Sequence, residues 1–157
     1  MKEHSSHAMP NHYRSLLIMG LLSFVAMYVL MYAMVDVIGN VYFNFNQFYM
    51  AGLMTAPMVV IELWLMKGMY ANPRLNALVT GGAVVGALIF FLLIRQQAGI
   101  TDRQFLRSMI PHHASAILMC RQAVIEEPDI VELCRDILSS QQEQIDAMKA
   151  KLLQLGG

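Results

Sequence analysis

Residues 109–113 read Met-Ile-Pro-His-His, a run that brings two imidazoles, a thioether and a proline within two helical turns. Ala116, Met119 and Cys120 follow at helical spacing. Because Pro111 removes a backbone donor and crowds the preceding turn, the pattern predicts a kink at the histidines. Such a combination is typical of a binding site rather than of residues that only pack in the hydrophobic core.

Two amphipathic helices are predicted around this run, over residues 101–155. Thr101-x-x-Gln104 forms a capping box that starts the first helix, and Pro128 suits the first position of the second. Apolar residues recur every three or four positions in both helices, and Gly156 ends the second. An antiparallel hairpin is therefore expected. Because two helices alone bury too little apolar surface, we expect two chains to pair their hairpins into a four-helix bundle.

The chain before the hairpin is too apolar for a soluble domain. Of its 157 residues, 57% are hydrophobic and 14% charged, the mean hydropathy is +0.48, and most charges follow residue 94. Predominantly apolar runs of about 20 residues, the length that crosses a bilayer, predict three transmembrane helices. These spans lie at about 16–35, 48–66 and 75–94. Gly82-x-x-x-Gly86 in the third span predicts close approach of another helix. The predicted fold class is all-α.

Basic residues near the span ends set the expected orientation. Lys2, Arg14, Lys67 and Arg74 fall on one side of a three-span topology, whereas the loop between the first two spans has no Lys or Arg. The positive-inside rule favours a cytoplasmic N-terminus and a periplasmic hairpin, in the lipid of a bacterial inner membrane. The aromatic residues of that loop, Gly39 to Gln47, predict an interfacial belt.

Two function classes are not indicated. The formal net charge is zero, so no basic surface for nucleic acid is expected. No spacing resembles a zinc finger, a P-loop, a catalytic triad or a paired-carboxylate site, and the sequence predicts no enzyme.

The first helix of the hairpin carries soft ligands. Met109, His112 and Met119 lie at i, i+3 and i+10, roughly one stripe. Thioethers and imidazole suit Cu(I) or Ag(I), whereas Mg²⁺ and Ca²⁺ require oxygen ligands. The alternative is that the methionines are ordinary core residues and that one histidine is a satisfied core residue and the other a solvated one.

Pairs across the hairpin follow if it turns at about residue 127. His113 is then level with Gln141, whose amide can orient a ligating ring, and Gln142 is one position further on. Cys120 is level with Cys134. Three alternatives stay open for the cysteines: a disulfide, soft metal ligands, or two small buried residues.

Further candidate metal ligands lie outside the hairpin. The polar N-terminal tail, residues 1–15, predicts either loose metal capture or a disordered terminus; it carries His4, His7, Met9 and His12. Two spans carry methionines along a helical face, namely Met27, Met31 and Met34, then Met50, Met54, Met58 and Met66. Glu62 lies near the middle of the second predicted span, where a charge costs about 2.5 kcal/mol or more. The alternatives are a thioether path for a soft ion with Glu62 as its charge, or packing between helices with a protonated Glu62.

The hairpin resembles a known family. The motif is Asp102-x-x-Phe105-Leu106-x-x-Met109-Ile110-Pro111-His112-His113-x-x-Ala116-Ile117-x-Met119, followed by Ile137-x-x-x-Gln141-Gln142-x-x-Ile145-x-x-Met148. It resembles the CopM-like family, earlier described as a domain of unknown function. The resemblance covers about residues 101–153 and implies a ferritin-like fold and a periplasmic copper-binding protein of copper and silver tolerance.

The resemblance also implies which residues bind metal. Transferred position by position, they are Met109, His112, His113, Met119 and Met148. Family members usually have Glu before Ile145, where this chain has Gln144 with Glu143 beside it. The expected function is a membrane-anchored, dimeric protein for Cu(I) or Ag(I) buffering, storage or delivery, with periplasmic copper-handling proteins as partners. The alternatives are a structural or assembly subunit, and a component of a metal transport path using Glu62.

Overall fold

The described residues, 9–156, form five α-helices and two short 3₁₀ helices in a computed structural model, and contain no strand. The α-helices are α1 (Met9–Leu30), α2 (Phe45–Leu65), α3 (Pro73–Gln96), α4 (Asp102–Gln122) and α5 (Pro128–Gln154). The 3₁₀ helices, Met31–Met34 and Ile38–Asn40, lie between α1 and α2. The predicted all-α class is confirmed for this part of the chain. His4 and His7 of the tail lie outside it, as does the side chain of Met9.

Three helical segments are long and apolar enough to cross a membrane, as the sequence predicts. They cover His12–Met34, Phe45–Leu65 and Pro73–Gln96. Asn72 caps the N-terminus of the third segment, α3. Its side chain accepts hydrogen bonds from the amides of Arg74 and Leu75, both at 3.1 Å. Pro73, which lacks an amide proton, then occupies the first helical position without losing a bond.

The chain divides into two compact units. The first, here called the membrane unit, contains the residues up to Val29 and Phe48–Ala98. The second, the hairpin unit, contains Leu30–Gln47 and the chain from Gly99 onward. The loop expected to form an interfacial belt therefore belongs to the same unit as the hairpin.

Large side chains join the helices of the membrane unit. The ring of Phe48 meets those of Phe24 and Phe90 edge to face, with centroids 4.9 and 6.5 Å apart. A Cβ atom added to Gly52 would lie 2.5 Å from ring carbons of Phe90, so this glycine permits the contact between α2 and α3. The prediction that Gly82 and Gly86 serve this purpose is wrong within the described chain, because a Cβ at either one meets nothing within 4 Å.

The core of the hairpin unit lies between α4 and α5. Its buried residues are Ile110, Ala114, Ile117, Ile145 and Leu152. Val35 and Tyr42 of the loop pack against this cluster, together with Leu106, Leu138 and Met148 of the helices. The loop thus covers part of the hairpin core through these two side chains.

The start of α4 differs in detail from the predicted capping box. The helix begins after Thr101, but the Thr101 side chain makes no capping bond. Gln104 instead accepts a hydrogen bond from the amide of Phe45, at 3.1 Å, and so holds the loop. Pro111 lies inside α4 without ending it.

Candidate functional site

His113 is a buried side chain whose two ring nitrogens both have protein partners. It is 8% exposed, and its Nδ1 donates to the carbonyl oxygen of Met109 at 2.9 Å. Its Nε2 lies 2.7 Å from the side-chain oxygen of Gln144. That amide either accepts from the ring or, turned by 180°, donates to it. A metal ion reaches Nε2 only after the Gln144 amide has moved away.

Gln144, rather than Gln141, is thus the partner of His113 across the hairpin. The predicted register was correct at the tip, where Cys120 and Cys134 meet, but wrong at His113. The reason is that side chains on a helix lean toward its N-terminus. Because α4 and α5 run in opposite directions, the His113 ring leans away from the tip and meets a residue about one turn further along α5.

A row of five residues lies on α4 beside His113. It is called the α4 stripe here, and its members are Phe105, Met109, His112, Ala116 and Met119. The steps between them alternate between four and three positions, which keeps them on one helical face. Phe105 is 51% and Met119 52% exposed, His112 is exposed, and the other two are half-buried. The stripe therefore carries three of the predicted ligands within reach of solvent.

Distance along the helix limits which of these donors can share one ion. Met109 and His112 are about 4.5 Å apart along the axis, at 1.5 Å per residue, and their side chains can meet at one ion. Met119 lies about 10 Å beyond His112 by the same rise, too far to join them. One α4 helix therefore supplies a two-donor site.

The other predicted metal residues are not gathered at this pair. Met148 packs against the buried cluster of the hairpin, and the Gln142 amide donates along α5 to Asp146 at 3.1 Å. Glu143 is exposed and Gln141 is half-buried. Across residues 9–156, no group of three or more His, Cys, Asp and Glu side chains is placed to hold a metal ion.

Cys120 and Cys134 form a disulfide between α4 and α5. Of the three alternatives that the sequence leaves open for this pair, the structure contains the first. The bond ties the helices at the tip of the hairpin, and in this state neither sulfur is a thiolate that could bind a metal.

Asp36 has a role in the hairpin unit that was not predicted from the sequence. The Asp36 carboxylate is 4% exposed and lies 3.7 Å from Arg121 of α4. It accepts hydrogen bonds from the amide of Val37 at 2.8 Å and from Asn40 at 2.7 Å. The sequence did contain a signal for this role. The loop is otherwise apolar but carries an aspartate and several asparagines, including the buried Asn44. Such groups are retained where they have hydrogen-bond partners.

The membrane unit does not gather its predicted ligands. Glu62, expected near the middle of a span, lies in the last turn of α2, which ends at Leu65. Burial raises the pKa of Tyr70, in the turn after α2, and the nearby Glu62 carboxylate and Tyr13 phenol raise it further. Met50, Met54 and Met66 are exposed within the described chain.

An apolar cleft of about 430 Å³ lies between α1, α2 and α3. Its walls include Leu16, Gly20, Ala56, Val79 and Phe90. Among the described side chains, no methionine and no carboxylate line it. The cleft therefore offers no thioether donors for a soft ion.

Comparison with known proteins places the chain in a family. The sequence profile described as "Domain of unknown function (DUF305)" matches residues 64–152, more than half of the chain. The chain belongs to the DUF305 family. The matched range includes α3 as well as the hairpin, so this family's pattern extends into the third of the helices that are long and apolar enough to cross a membrane.

A relative of similar length supports this placement. The uncharacterized protein L153 of Acanthamoeba polyphaga mimivirus is 36% identical over 140 residues. The aligned region covers 87% of this chain and 90% of the viral protein, so the likeness includes both units. No solved structure matches the chain significantly.

Proposed function

We propose that this DUF305 protein binds Cu(I) on the exposed face of its hairpin and buffers, stores or delivers it in copper tolerance. The proposal depends on one observation: Met109 and His112 lie one helical turn apart on the α4 stripe. A thioether and an imidazole together favour Cu(I) over ions that need oxygen ligands. Ag(I) prefers the same soft ligands. The resemblance of this motif to the CopM-like family points to the same chemistry.

The donors available on α4 agree with a monovalent ion. Methionine sulfur and the metal-binding form of histidine are both neutral. The two cysteines are joined to each other and contribute no thiolate. Bound Cu(I) therefore leaves a single positive charge at an exposed surface, whereas a divalent ion would leave two. His113 is a reserve ligand at this site, since release of Gln144 frees its Nε2.

We further propose a location for this chemistry. The membrane unit anchors the protein in a bacterial inner membrane with its N-terminus in the cytoplasm and its hairpin unit in the periplasm. The first loop has no Lys or Arg, in keeping with the positive-inside rule. The Cys120–Cys134 disulfide suits an oxidising compartment. In this proposal two chains pair their hairpins into a four-helix bundle and exchange copper with periplasmic copper-handling proteins.

A competition titration of the full-length protein in detergent tests copper binding. A chromophoric chelator reports the fraction of Cu(I) held by the protein, with ascorbate rather than a thiol as reductant so that the disulfide survives. His112→Ala and Met109→Leu should each weaken binding at least tenfold. Met148→Leu, a change at the core methionine, is the matched control and should leave the affinity unchanged. Equal affinities in all four proteins would refute the proposal.

A second candidate function is a structural or assembly subunit without bound metal. It is favoured by the burial of His113 and by the partners of both its ring nitrogens, which is the state of a core histidine. This candidate requires the purified wild type to bind no Cu(I), and His112→Ala to change neither metal content nor stability. The transport alternative has less support, because neither Glu62 nor any methionine whose side chain is described lines the cleft of the membrane unit.

A further inference from the structure

The loop packs on the hairpin core and leaves the α4 stripe exposed or half-buried. Val35 and Tyr42 of the loop pack on the buried core, and Asn46 donates to the hydroxyl of Ser108 at 3.1 Å. The five stripe residues are exposed or half-buried. One part of the hairpin is thus covered by the chain itself, and the stripe is left open.

The open surface continues onto α5. Ile130 and Leu133 are 48% and 56% exposed, and Ile137 and Gln144 follow them at helical spacing. Gln144 is bonded to His113, which borders the α4 stripe, so both rows face the same side of the hairpin. No charged residue occurs in the α4 stripe. An uncharged row with steps of four and three residues has the pattern by which two helices pack along a seam.

The metal site on this surface is incomplete within one chain. A single α4 offers two donors within one helical turn, Met109 and His112. The Nε2 atom of His113 is already in contact with the Gln144 side chain. Protein metal sites usually take three or four ligands. Further donors must therefore come from outside the described chain, and the open surface is where they can approach.

We infer that a second copy of this chain completes the site, with the two α4 stripes packed about a two-fold axis at His112. His112 and Met109 of both copies then surround one Cu(I), which gives four donors. This inference depends on the proposed function for its ligand. A two-fold interface uses the same surface on both partners, so a row centred on His112 is self-complementary by symmetry.

The spacing of the stripe fits such a pairing. Phe105 and Met119 each lie seven residues from His112. In an antiparallel pair, Phe105 meets Met119 of the second copy, and Met109 lies next to the small Ala116 of that copy. In a parallel pair every residue meets its own counterpart. Both arrangements place the two His112 side chains together and each Met109 within one turn of them.

The size of the stripe makes the pairing weak, but not absent, without copper. At 1.5 Å per residue and a helix width near 10 Å, the two stripes bury roughly 400 Å² in total. Specific protein interfaces usually bury about 1,200 Å² or more. Ile130, Leu133 and Ile137 of α5 add some area, but the apolar contact alone gives a weak dimer. A shared Cu(I) strengthens it because the ion is bound only where the two copies meet.

The decisive measurement is the stoichiometry of Cu(I) on the full-length protein in detergent micelles. Light scattering gives the protein mass during a titration with Cu(I) under ascorbate. The expected result is one Cu(I) for two chains, with the dimer fraction rising as copper is added. One Cu(I) held by each monomer would overturn the shared site but leave copper binding intact. No binding at all would refute the proposed function instead.

A charged substitution in the stripe separates pairing from ligand loss. Ala116→Arg adds a long cation to the seam and leaves every donor in place. It should abolish the copper-dependent dimer and weaken Cu(I) binding at least tenfold. Ala150→Arg, the same change at an exposed position of α5 away from the stripe, should do neither. If Ala116→Arg still binds copper with wild-type affinity as a monomer, the second copy contributes no ligand.

Cross-linking tests the pairing without copper binding. His112→Cys should give a disulfide-linked dimer on mild oxidation, since the native cysteines are already joined to each other. Ala150→Cys is the control and should remain monomeric. Cross-linking no greater for His112→Cys than for Ala150→Cys would refute the placement of His112 at the two-fold axis, whatever the copper titration shows.

Discussion

The Nε2 atom of His113 lies 2.7 Å from the side-chain oxygen of Gln144, so a polar contact joins α4 to α5 beside the buried core. The neighbouring His112 is exposed on the α4 stripe. Two consecutive histidines thus have different surroundings: one is held inside the hairpin unit, and the other is open to a ligand. Substitutions at the two positions should have separable effects.

His113→Ala should lower the free energy of opening of the hairpin by about 2 kcal/mol, because it leaves a cavity and deprives Gln144 of its partner. His112→Ala should change it by less than about 0.5 kcal/mol, as expected of an exposed side chain. Hydrogen exchange of the α4 and α5 amides, measured on the full-length protein in detergent, reports this free energy. Equal losses of protection in the two variants would contradict the core role of His113.

Loss of the disulfide should loosen the tip of the hairpin. Cys120 and Cys134 are 14 positions apart, and a loop of this size gives about 3 kcal/mol of stabilisation in the chain-entropy view. The double variant Cys120→Ser/Cys134→Ser should therefore show faster amide exchange at the ends of α4 and α5 that meet there. Maleimide labelling checks the bond directly: the unreduced wild type should take up no label. Labelling of both cysteines without reductant would show that they are free.

Asp36 should contribute more to the stability of the hairpin unit than Arg121, its ion-pair partner. Asp36→Ala leaves the amide of Val37 and the side chain of Asn40 without their acceptor, and should cost about 2 kcal/mol. Arg121→Ala should cost less than about 1 kcal/mol, because Arg121 is 51% exposed and 3.7 Å away. Protease cleavage of the loop, measured for both variants, ranks the effects.

Asp36→Asn is the informative control for this pair. Its amide oxygen can still accept from Val37 and Asn40, but the negative charge is gone. If hydrogen bonding dominates, this variant should resemble the wild type in its rate of cleavage. A loss as large as that of Asp36→Ala would show instead that the charge opposite Arg121 holds the loop.

Helix positions were predictable from the sequence, but several of the contacts were not. Apolar runs of about 20 residues located the three candidate spans, and Pro128 marked the start of α5, because apolar composition and proline geometry act locally. The partner of His113 was predicted one turn away from its true place, since residue number alone ignores the lean of side chains toward the helix N-terminus. The packing of Val35 and Tyr42 on the hairpin depends on residues more than 60 positions away, which no local pattern reports.

The contact between α2 and α3 should be sensitive to the size of residue 52. Gly52→Ala would place a methyl group 2.5 Å from the Phe90 ring and should destabilise the membrane unit by about 1–3 kcal/mol through overpacking. Gly82→Ala, where the added methyl meets nothing within 4 Å, is the matched control and should leave the thermal midpoint in detergent unchanged. Phe90→Leu should restore much of the stability lost in Gly52→Ala, because a smaller side chain makes room for the methyl group. If the two substitutions are simply additive, Gly52 and Phe90 are not in contact.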